Sequence, residues 1–131
     1  MKNIADETQW LDATAQAALV AAGELSSREL VDAAIERVDR TDGAINAVVL
    51  HWYDRAREQA DAIDATGAGT APAGRGSGDR PPFLGVPFLL KDLWAPEAGM
   101  PMTNGNAALA ANPPRAVHDM TLVKRFRDAG L

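Results

Sequence analysis

The sequence predicts an α/β protein in which N-terminal helices precede the start of a parallel or mixed β-sheet with helices on each side. Apolar residues recur at helical spacing in the first half of the chain, which is typical of amphipathic helices. A nearly continuous apolar run over residues 83–90 suits a strand that is buried on both faces. A second helical pattern over residues 119–130 follows, placed as the crossover helix that joins two parallel strands.

We predict that residues 1–131 form the N-terminal part of a single domain with three segments. A helical segment spans residues 8–65, and a first core strand with its crossover helix spans residues 83–131. Between them, residues 66–82 hold five glycines and three prolines among 17 residues. That composition predicts a flexible surface loop.

Local signals set the predicted ends of the helices. Gly23 follows an apolar helical stripe and is expected to end the first helix in a left-handed conformation. Ser26 and Glu29 have the spacing of a capping box that begins the second helix. Asp119 is expected to be the N-cap of the crossover helix, and Gly130 is expected to close it. The third helix has a weaker apolar stripe, formed by Trp52, Ala56, Ala60 and Ile63.

The predicted architecture is interrupted at Leu131. A crossover helix ordinarily leads into a second parallel strand beside the first. A lone buried strand has unpaired amides, and these cost free energy when they are removed from water. We therefore expect the sheet to be incomplete in this chain, with its second strand beginning where the sequence stops.

Composition narrows the classes of function. The chain has 13 basic and 18 acidic residues and a net charge of −5, which argues against a nucleic-acid face because such a face needs a basic stripe. It has no cysteine, which excludes disulfides and thiolate metal sites. The residues after Met1 form no apolar signal segment, and no stretch is long enough to cross a membrane. We therefore expect a cytoplasmic protein without a nucleic-acid or membrane partner.

Lys91 is the candidate catalytic residue. It ends the most apolar segment of the chain, and lysine is rarely buried because removing its ammonium from water is costly. One interpretation is structural, with the side chain extending from a strand end into solvent. The other is functional, because a lysine in a low-polarity site releases its proton more readily and can act as a general base. Asp92 would point to the opposite face of a strand, so we expect it to be a local hydrogen-bonding partner rather than a counter-ion.

The remaining polar residues predict no further site. His51 and His118 are the two histidines, and neither belongs to a metal-binding pattern. Ser26 is explained by helix capping, and Ser77 lies in the predicted flexible loop. The residues therefore predict neither a serine nucleophile nor a metal site in this chain.

Three stretches of the chain resemble the N-terminal third of the amidase signature enzymes. They are residues 23–30 continuing to 48, residues 84–92, and residues 99–105 with the helix over 119–130. The most specific match is residues 84–92, which read Leu-Gly-Val-Pro-Phe-Leu-Leu-Lys-Asp. Leu93, Trp94 and residues 102–106 depart from patterns that are common in the family, so the resemblance does not extend to a substrate.

The resemblance implies the amidase signature fold, a mixed sheet layered by helices, and a carbon–nitrogen hydrolase that acts on linear amides. Members use a Ser–cis-Ser–Lys triad, and Lys91 matches its lysine. The neutral lysine takes a proton from the cis serine, which in turn activates the nucleophilic serine for acyl-enzyme formation. Neither a metal nor an organic cofactor is implied. Both serines are expected beyond residue 131, so this chain alone is predicted to be inactive.

The residues leave an alternative open, in which the chain is a non-catalytic short form or a split-enzyme fragment that acts as a helical interaction module. They also do not separate a free-standing amidase from one component of a transamidation assembly. The expected partners are a small-molecule amide substrate and either a second copy in a homodimer or the remaining C-terminal part of the enzyme.

Overall fold

The computed structural model describes residues 3–67 and 80–131. The chain divides into two compact units. The helical unit comprises residues 1–87 and 129–131, and the loop unit comprises residues 88–128. The helices of the described residues are, in chain order, α1 (Ile4–Thr8), α2 (Ala13–Ala22), α3 (Ser27–Ile45), α4 (Tyr53–Ala65), a short 3-10 helix (Ala107–Leu109) and α5 (Thr121–Asp128).

The junction between α2 and α3 follows the signals in the sequence. Gly23 follows the last residue of α2 with a left-handed φ of 70°. The Ser26 amide donates to the Glu29 carboxylate at 2.8 Å, and the Glu29 amide donates to the Ser26 hydroxyl at 3.1 Å. The predicted helix end and the predicted capping box are both confirmed.

Helix α3 forms the centre of the helical unit, where it packs against both α1 and α4. Val31 and Ile35 form a buried cluster with Ala60 of α4, and Tyr53 and Ala56 pack against this cluster. Alanine removes little apolar area from water, and each Å² is worth roughly 25 cal/mol. The core is therefore thin, since its buried apolar residues include Ala5, Ala17, Ala33 and Ala60.

Ion pairs on the solvent side also join α3 to α4. The Asp32 carboxylate accepts hydrogen bonds from Arg28 and from Arg57 of α4, each at 2.8 Å. Arg28 also donates to Asp61 of α4 at 2.7 Å. Asp32 thus has one arginine from each helix as a partner.

The strand predicted over residues 83–90 is not confirmed. Residues 82–85 form a turn, and the described part of the chain contains no strand. Gly85 has a φ of 90°, which turns the backbone out of the extended conformation. A buried strand needs a neighbour to pair its amides, and the described residues provide only an isolated antiparallel bridge between Pro101 and Arg115. The mixed sheet of the predicted α/β fold is therefore not confirmed, and the described regular structure is helical.

The turn at residues 82–85 pairs instead with the end of the chain. The Phe83 amide donates to the Ala129 carbonyl at 2.8 Å, and the Gly85 amide donates to the Gly130 carbonyl at 3.2 Å. Gly130 follows α5 with a φ of 96°, in agreement with its predicted role at the end of that helix. A Cβ at Gly130 would lie 2.5 Å from the Leu84 nitrogen, so the close approach requires glycine.

The prediction that Asp119 is the N-cap of the last helix is wrong. Helix α5 begins at Thr121, two residues after Asp119. The Asp119 carboxylate accepts instead from the Ala98 amide at 2.8 Å and from Arg127 at 2.7 Å. A charged donor competes for the oxygens that would have capped the helix. Most of the loop predicted at residues 66–82, from 68 to 79, lies outside the described residues.

Candidate active site at Lys91 and Asp92

Gly85, six residues before Lys91, contacts the N-terminus of α3. The Ser27 hydroxyl, whose residue is 1% exposed, donates to the Gly85 carbonyl at 3.0 Å. A Cβ at Gly85 would lie 3.1 Å from the Ser27 Cβ, so this contact also favours glycine. The Asp64 carboxylate of α4 accepts from the amides of Ser27 and Arg28 at 2.9 and 3.0 Å. These bonds satisfy free amides of the first turn of α3.

Lys91 is exposed in the structure, as the structural interpretation of this residue expects, and the low-polarity setting of the functional interpretation is not found among the described residues. The neighbouring apolar side chains Phe88 and Leu89 are 48% and 65% exposed. The backbone of residues 88–91 makes no hydrogen bond with the described part of the chain. No strand among the described residues pairs with this segment and covers it.

Asp92, in contrast, is held firmly. Its carboxylate accepts hydrogen bonds from the Thr103 amide at 2.7 Å, from the Gly105 amide at 3.1 Å and from the Thr103 hydroxyl. Thr103 is itself only 6% exposed. Burial acts to raise the pKa of Asp92, but the hydrogen bonds from Thr103 and the following amides outweigh it and hold the pKa below its ordinary value. The prediction that Asp92 is a hydrogen-bonding partner rather than a counter-ion for Lys91 is confirmed.

The partner of Asp92 is a tight turn. Asn104 and Gly105 have φ values of 53° and 70°, and the Asn106 amide donates to the Thr103 carbonyl at 3.0 Å. Two left-handed central residues closed by this bond define a type I′ turn, for which Asn-Gly is the preferred dipeptide. The Asn104-Gly105 dipeptide could have predicted this turn from the sequence, although we predicted no turn at these residues.

Backbone pairing holds the turn in place. The Gly99 amide donates to the Ala116 carbonyl at 2.8 Å, and the Ala116 amide donates to the Met100 carbonyl at 3.0 Å. The Met102 amide donates to the Pro114 carbonyl at 3.0 Å. The turn therefore extends from two paired loop segments, residues 99–102 and 114–116, rather than from an isolated loop.

A second polar cluster lies at α5. Arg127 contacts Asp119 at 2.7 Å and Glu97 at 3.3 Å. Two hydrogen bonds lower the pKa of Asp119. The bond from Arg127 has the larger effect and the bond from the Ala98 amide the smaller one. Both carboxylates have a cationic partner, and no group of three or more potential metal ligands occurs among residues 3–67 and 80–131. The cluster ties the loop to the helix.

Among the described residues, the serines and histidines have local roles of their own or are exposed. Ser26 is engaged in the capping box, and Ser27 is bonded to Gly85. His51 contacts the Val48 carbonyl and stacks on a tyrosine. His118 is exposed, and Ser77 lies outside the described residues. No helix within the described ranges is long and apolar enough to cross a membrane.

Comparison with known proteins identifies the family. The family model described as Amidase matches residues 29–131. The chain belongs to the amidase family. The resemblance seen in its sequence is thereby confirmed, and the match contains Lys91, Asp92 and the type I′ turn.

Individual amidase relatives cover almost all of this chain. It is 38% identical over 121 residues to the 6-aminohexanoate-cyclic-dimer hydrolase of Pseudomonas sp. (strain NK87), covering 92% of this chain and 21% of that protein. It is 39% identical over 121 residues to an acylamidase of Rhodococcus erythropolis, with 92% and 23% covered. It is 36% identical over 109 residues to one subunit of the glutamyl-tRNA(Gln) amidotransferase of Halorhodospira halophila (strain DSM 244 / SL1), with 83% and 20% covered. The chain thus spans about a fifth of the length of these relatives.

Proposed function

We propose that this chain supplies the lysine general base, Lys91, of a hydrolase that cleaves carbon–nitrogen bonds in small-molecule amides. The observation that carries the proposal is the amidase match over residues 29–131, which includes Lys91 beside the fixed carboxylate of Asp92. Relatives named as a hydrolase of a cyclic amide dimer and as an acylamidase support amide cleavage. Because another relative belongs to a tRNA amidotransferase, the proposal stays at the class of amide bonds.

In the proposed reaction, neutral Lys91 accepts a proton from a bridging serine, and that serine accepts the proton of a second, nucleophilic serine. The nucleophilic oxygen bonds to the amide carbon, the carbon–nitrogen bond breaks, and the amine leaves with a returned proton. Water then hydrolyses the acyl-enzyme to the free acid. The described serines, Ser26 and Ser27, have structural partners, so we assign both catalytic serines to residues other than these.

The proposal also requires a change in the surroundings of Lys91. The lysine is exposed here beside the exposed side chains of Phe88 and Leu89. A general base works best when its proton affinity suits the operating pH, and removal from water favours the neutral amine. We propose that the active form covers this segment with further parts of an amidase, and that these 131 residues alone do not hydrolyse amides.

The test uses protein made from the complete coding frame that contains these residues. Hydrolysis of an acyl p-nitroanilide is measured for the unchanged protein, for Lys91→Met and for the control Lys124→Met, which removes an exposed lysine from α5. We expect Lys91→Met to lower kcat by about 10²–10⁴-fold and the control to retain activity within about twofold. A Lys91→Met enzyme that keeps more than a tenth of the activity excludes the proposed role. The 131-residue chain alone is expected to take no serine-reactive fluorophosphonate label.

A further inference from the structure

We propose that Asp92 is a positioning residue for Lys91, which it holds in place by binding the Thr103–Asn106 turn. This inference rests on the proposed function for its catalytic meaning, but its structural part is independent of it. Nothing in the role of a general base requires the next residue to be a carboxylate. We base the assignment on the hydrogen bonds that Asp92 makes. The other residues from 87 to 95 make no hydrogen bond with the described part of the chain.

Asp92 makes the hydrogen bonds that tie its segment to the rest of the described residues. Of residues 87–95, it is the one that makes hydrogen bonds with the described part of the chain. Before this span the Val86 amide donates to the Phe83 carbonyl at 3.1 Å, and after it the Pro96 carbonyl accepts from the Met120 amide at 3.0 Å. The Phe88 ring, three residues before Lys91, packs against Phe126 with ring centroids 4.7 Å apart. Because Lys91 shares a peptide bond with Asp92, the hydrogen bonds of the Asp92 side chain are the nearest restraint on the Lys91 Cα.

The anchor requires an ionised carboxylate. Three donors converge on the two oxygens of Asp92, namely the Thr103 amide, the Thr103 hydroxyl and the Gly105 amide. An asparagine would present one oxygen and one NH₂ group to this all-donor set, so a donor would face a donor. Thr103 is buried, and water has little access to repair that mismatch.

The turn is suited to act as the fixed partner. A type I′ turn with Asn-Gly in its centre adopts its preferred conformation without strain at Gly105. Its flanking residue Met102 is paired to Pro114, so the turn does not depend on Asp92 alone for its shape. The paired loop segments therefore hold the turn, the turn holds Asp92, and Asp92 holds Lys91.

Backbone dynamics of the 131-residue chain test the structural part. The order parameter of the Lys91 amide is measured by ¹⁵N relaxation, at a concentration below the onset of aggregation, in the unchanged chain, in Asp92→Asn and in Asp119→Asn. We expect about 0.85 in the unchanged chain and below about 0.6 in Asp92→Asn. Asp119→Asn is the matched control, because Asp119 also accepts a backbone amide and a side-chain donor in the same unit. An unchanged order parameter at Lys91 in Asp92→Asn, or an equal loss in Asp119→Asn, overturns the proposal.

Two substitutions at Thr103 keep the test decisive if Asp92→Asn fails to fold. Thr103→Val removes the hydroxyl donor and leaves both amides, whereas Thr103→Ser keeps the hydroxyl. We expect Thr103→Val to increase the mobility of the Lys91 amide and Thr103→Ser to restore it. Equal mobility in the two variants contradicts a role for this contact in positioning Lys91.

Kinetics test the catalytic part in protein from the complete coding frame. We expect Asp92→Asn to lower kcat for the acyl p-nitroanilide by about a hundredfold, as misplacement of a catalytic group does, while KM changes by less than about threefold. Asp119→Asn should leave kcat within about twofold even where it lowers Tm. Equal kcat losses in both variants contradict positioning. If the unchanged protein hydrolyses no amide, the proposed function fails, and the Lys91 order parameter still decides whether Asp92 fixes this segment.

Discussion

The hydroxyl of Ser27 donates to the carbonyl of Gly85 at 3.0 Å across 58 residues of sequence. Both residues are buried, and the bond links the first turn of α3 to the turn that precedes the Lys91 segment. A buried carbonyl that loses its donor keeps its desolvation cost. This contact therefore holds the turn at residues 82–85 against α3, although it lies outside the candidate site.

Replacement of Ser27 by alanine should destabilise the chain. We expect Ser27→Ala to lower the free energy of unfolding by about 1–3 kcal/mol, because the Gly85 carbonyl is left without its partner. Urea unfolding followed by circular dichroism measures the change. Thr41→Ala is the control, since it removes an exposed hydroxyl that bonds within α3. A loss at Ser27 no larger than that at Thr41 would contradict the importance of the contact.

Two glycine substitutions should have opposite effects. Gly130→Ala places a Cβ 2.5 Å from the Leu84 nitrogen at a φ of 96°, so we expect a loss of more than about 3 kcal/mol or failure to fold. Gly43→Ala, in α3, meets no atom within 4 Å and should stabilise the chain by about 0.5–1 kcal/mol. Thermal unfolding of both variants gives the comparison. Similar Tm values for the two variants would show that the approach at Leu84 is not tight in solution.

The type I′ turn should require glycine at one position only. Gly105 has a φ of 70°, and a Cβ at this position would meet no atom within 4 Å. Gly105→Ala should therefore cause no clash and lose only the left-handed backbone preference, about 1–2 kcal/mol. Asn104→Gly should be tolerated, because glycine adopts the φ of 53° found at Asn104 freely. Urea unfolding of the two variants measures the difference, and equal stability would argue against a type I′ turn.

Acid should weaken the contact between α3 and α4. Burial acts to raise the pKa of Asp32, but hydrogen bonds from Arg57 and Arg28 outweigh it, so the pKa lies below the ordinary value of 3.8. A carboxyl whose pKa is lower in the folded state contributes stability above its unfolded pKa, and that stability is lost as pH falls through the folded value. We expect Asp32→Asn to flatten the decline in unfolding free energy below about pH 4. Asp54→Asn, at a side chain that is 97% exposed, is the control, and an equal flattening there would refute the assignment.

Sequence reasoning succeeds where the determining contacts are local. The Ser26–Glu29 capping box and the Gly23 helix end depend on residues a few positions apart, so the sequence contains all that is needed to predict them. The role of Lys91 rests on a motif and stays a prediction. The Asp92 contact joins residues 11 to 13 positions apart, and only the Asn-Gly dipeptide indicates its partner.

The failures share one physical cause, which is dependence on distant partners. An apolar run over residues 83–90 favours a buried strand only if another strand pairs with it, and the described residues provide none. The low-polarity setting in the functional interpretation of Lys91 depends on a cover of the same kind, and Lys91 is exposed. Asp119 lies two residues before the first residue of α5, and Arg127 and the Ala98 amide occupy its oxygens.

The free backbone of residues 88–91 also governs how this chain behaves when it is concentrated. Unpaired N–H and C=O groups beside exposed apolar side chains form a template onto which another molecule can add a strand. Phe88 and Leu89 carry no charge that would discourage such addition, and Lys91 is the sole charged residue of the four. We therefore expect the isolated chain to aggregate through this segment at high concentration, and a second lysine introduced at Leu89 to delay it.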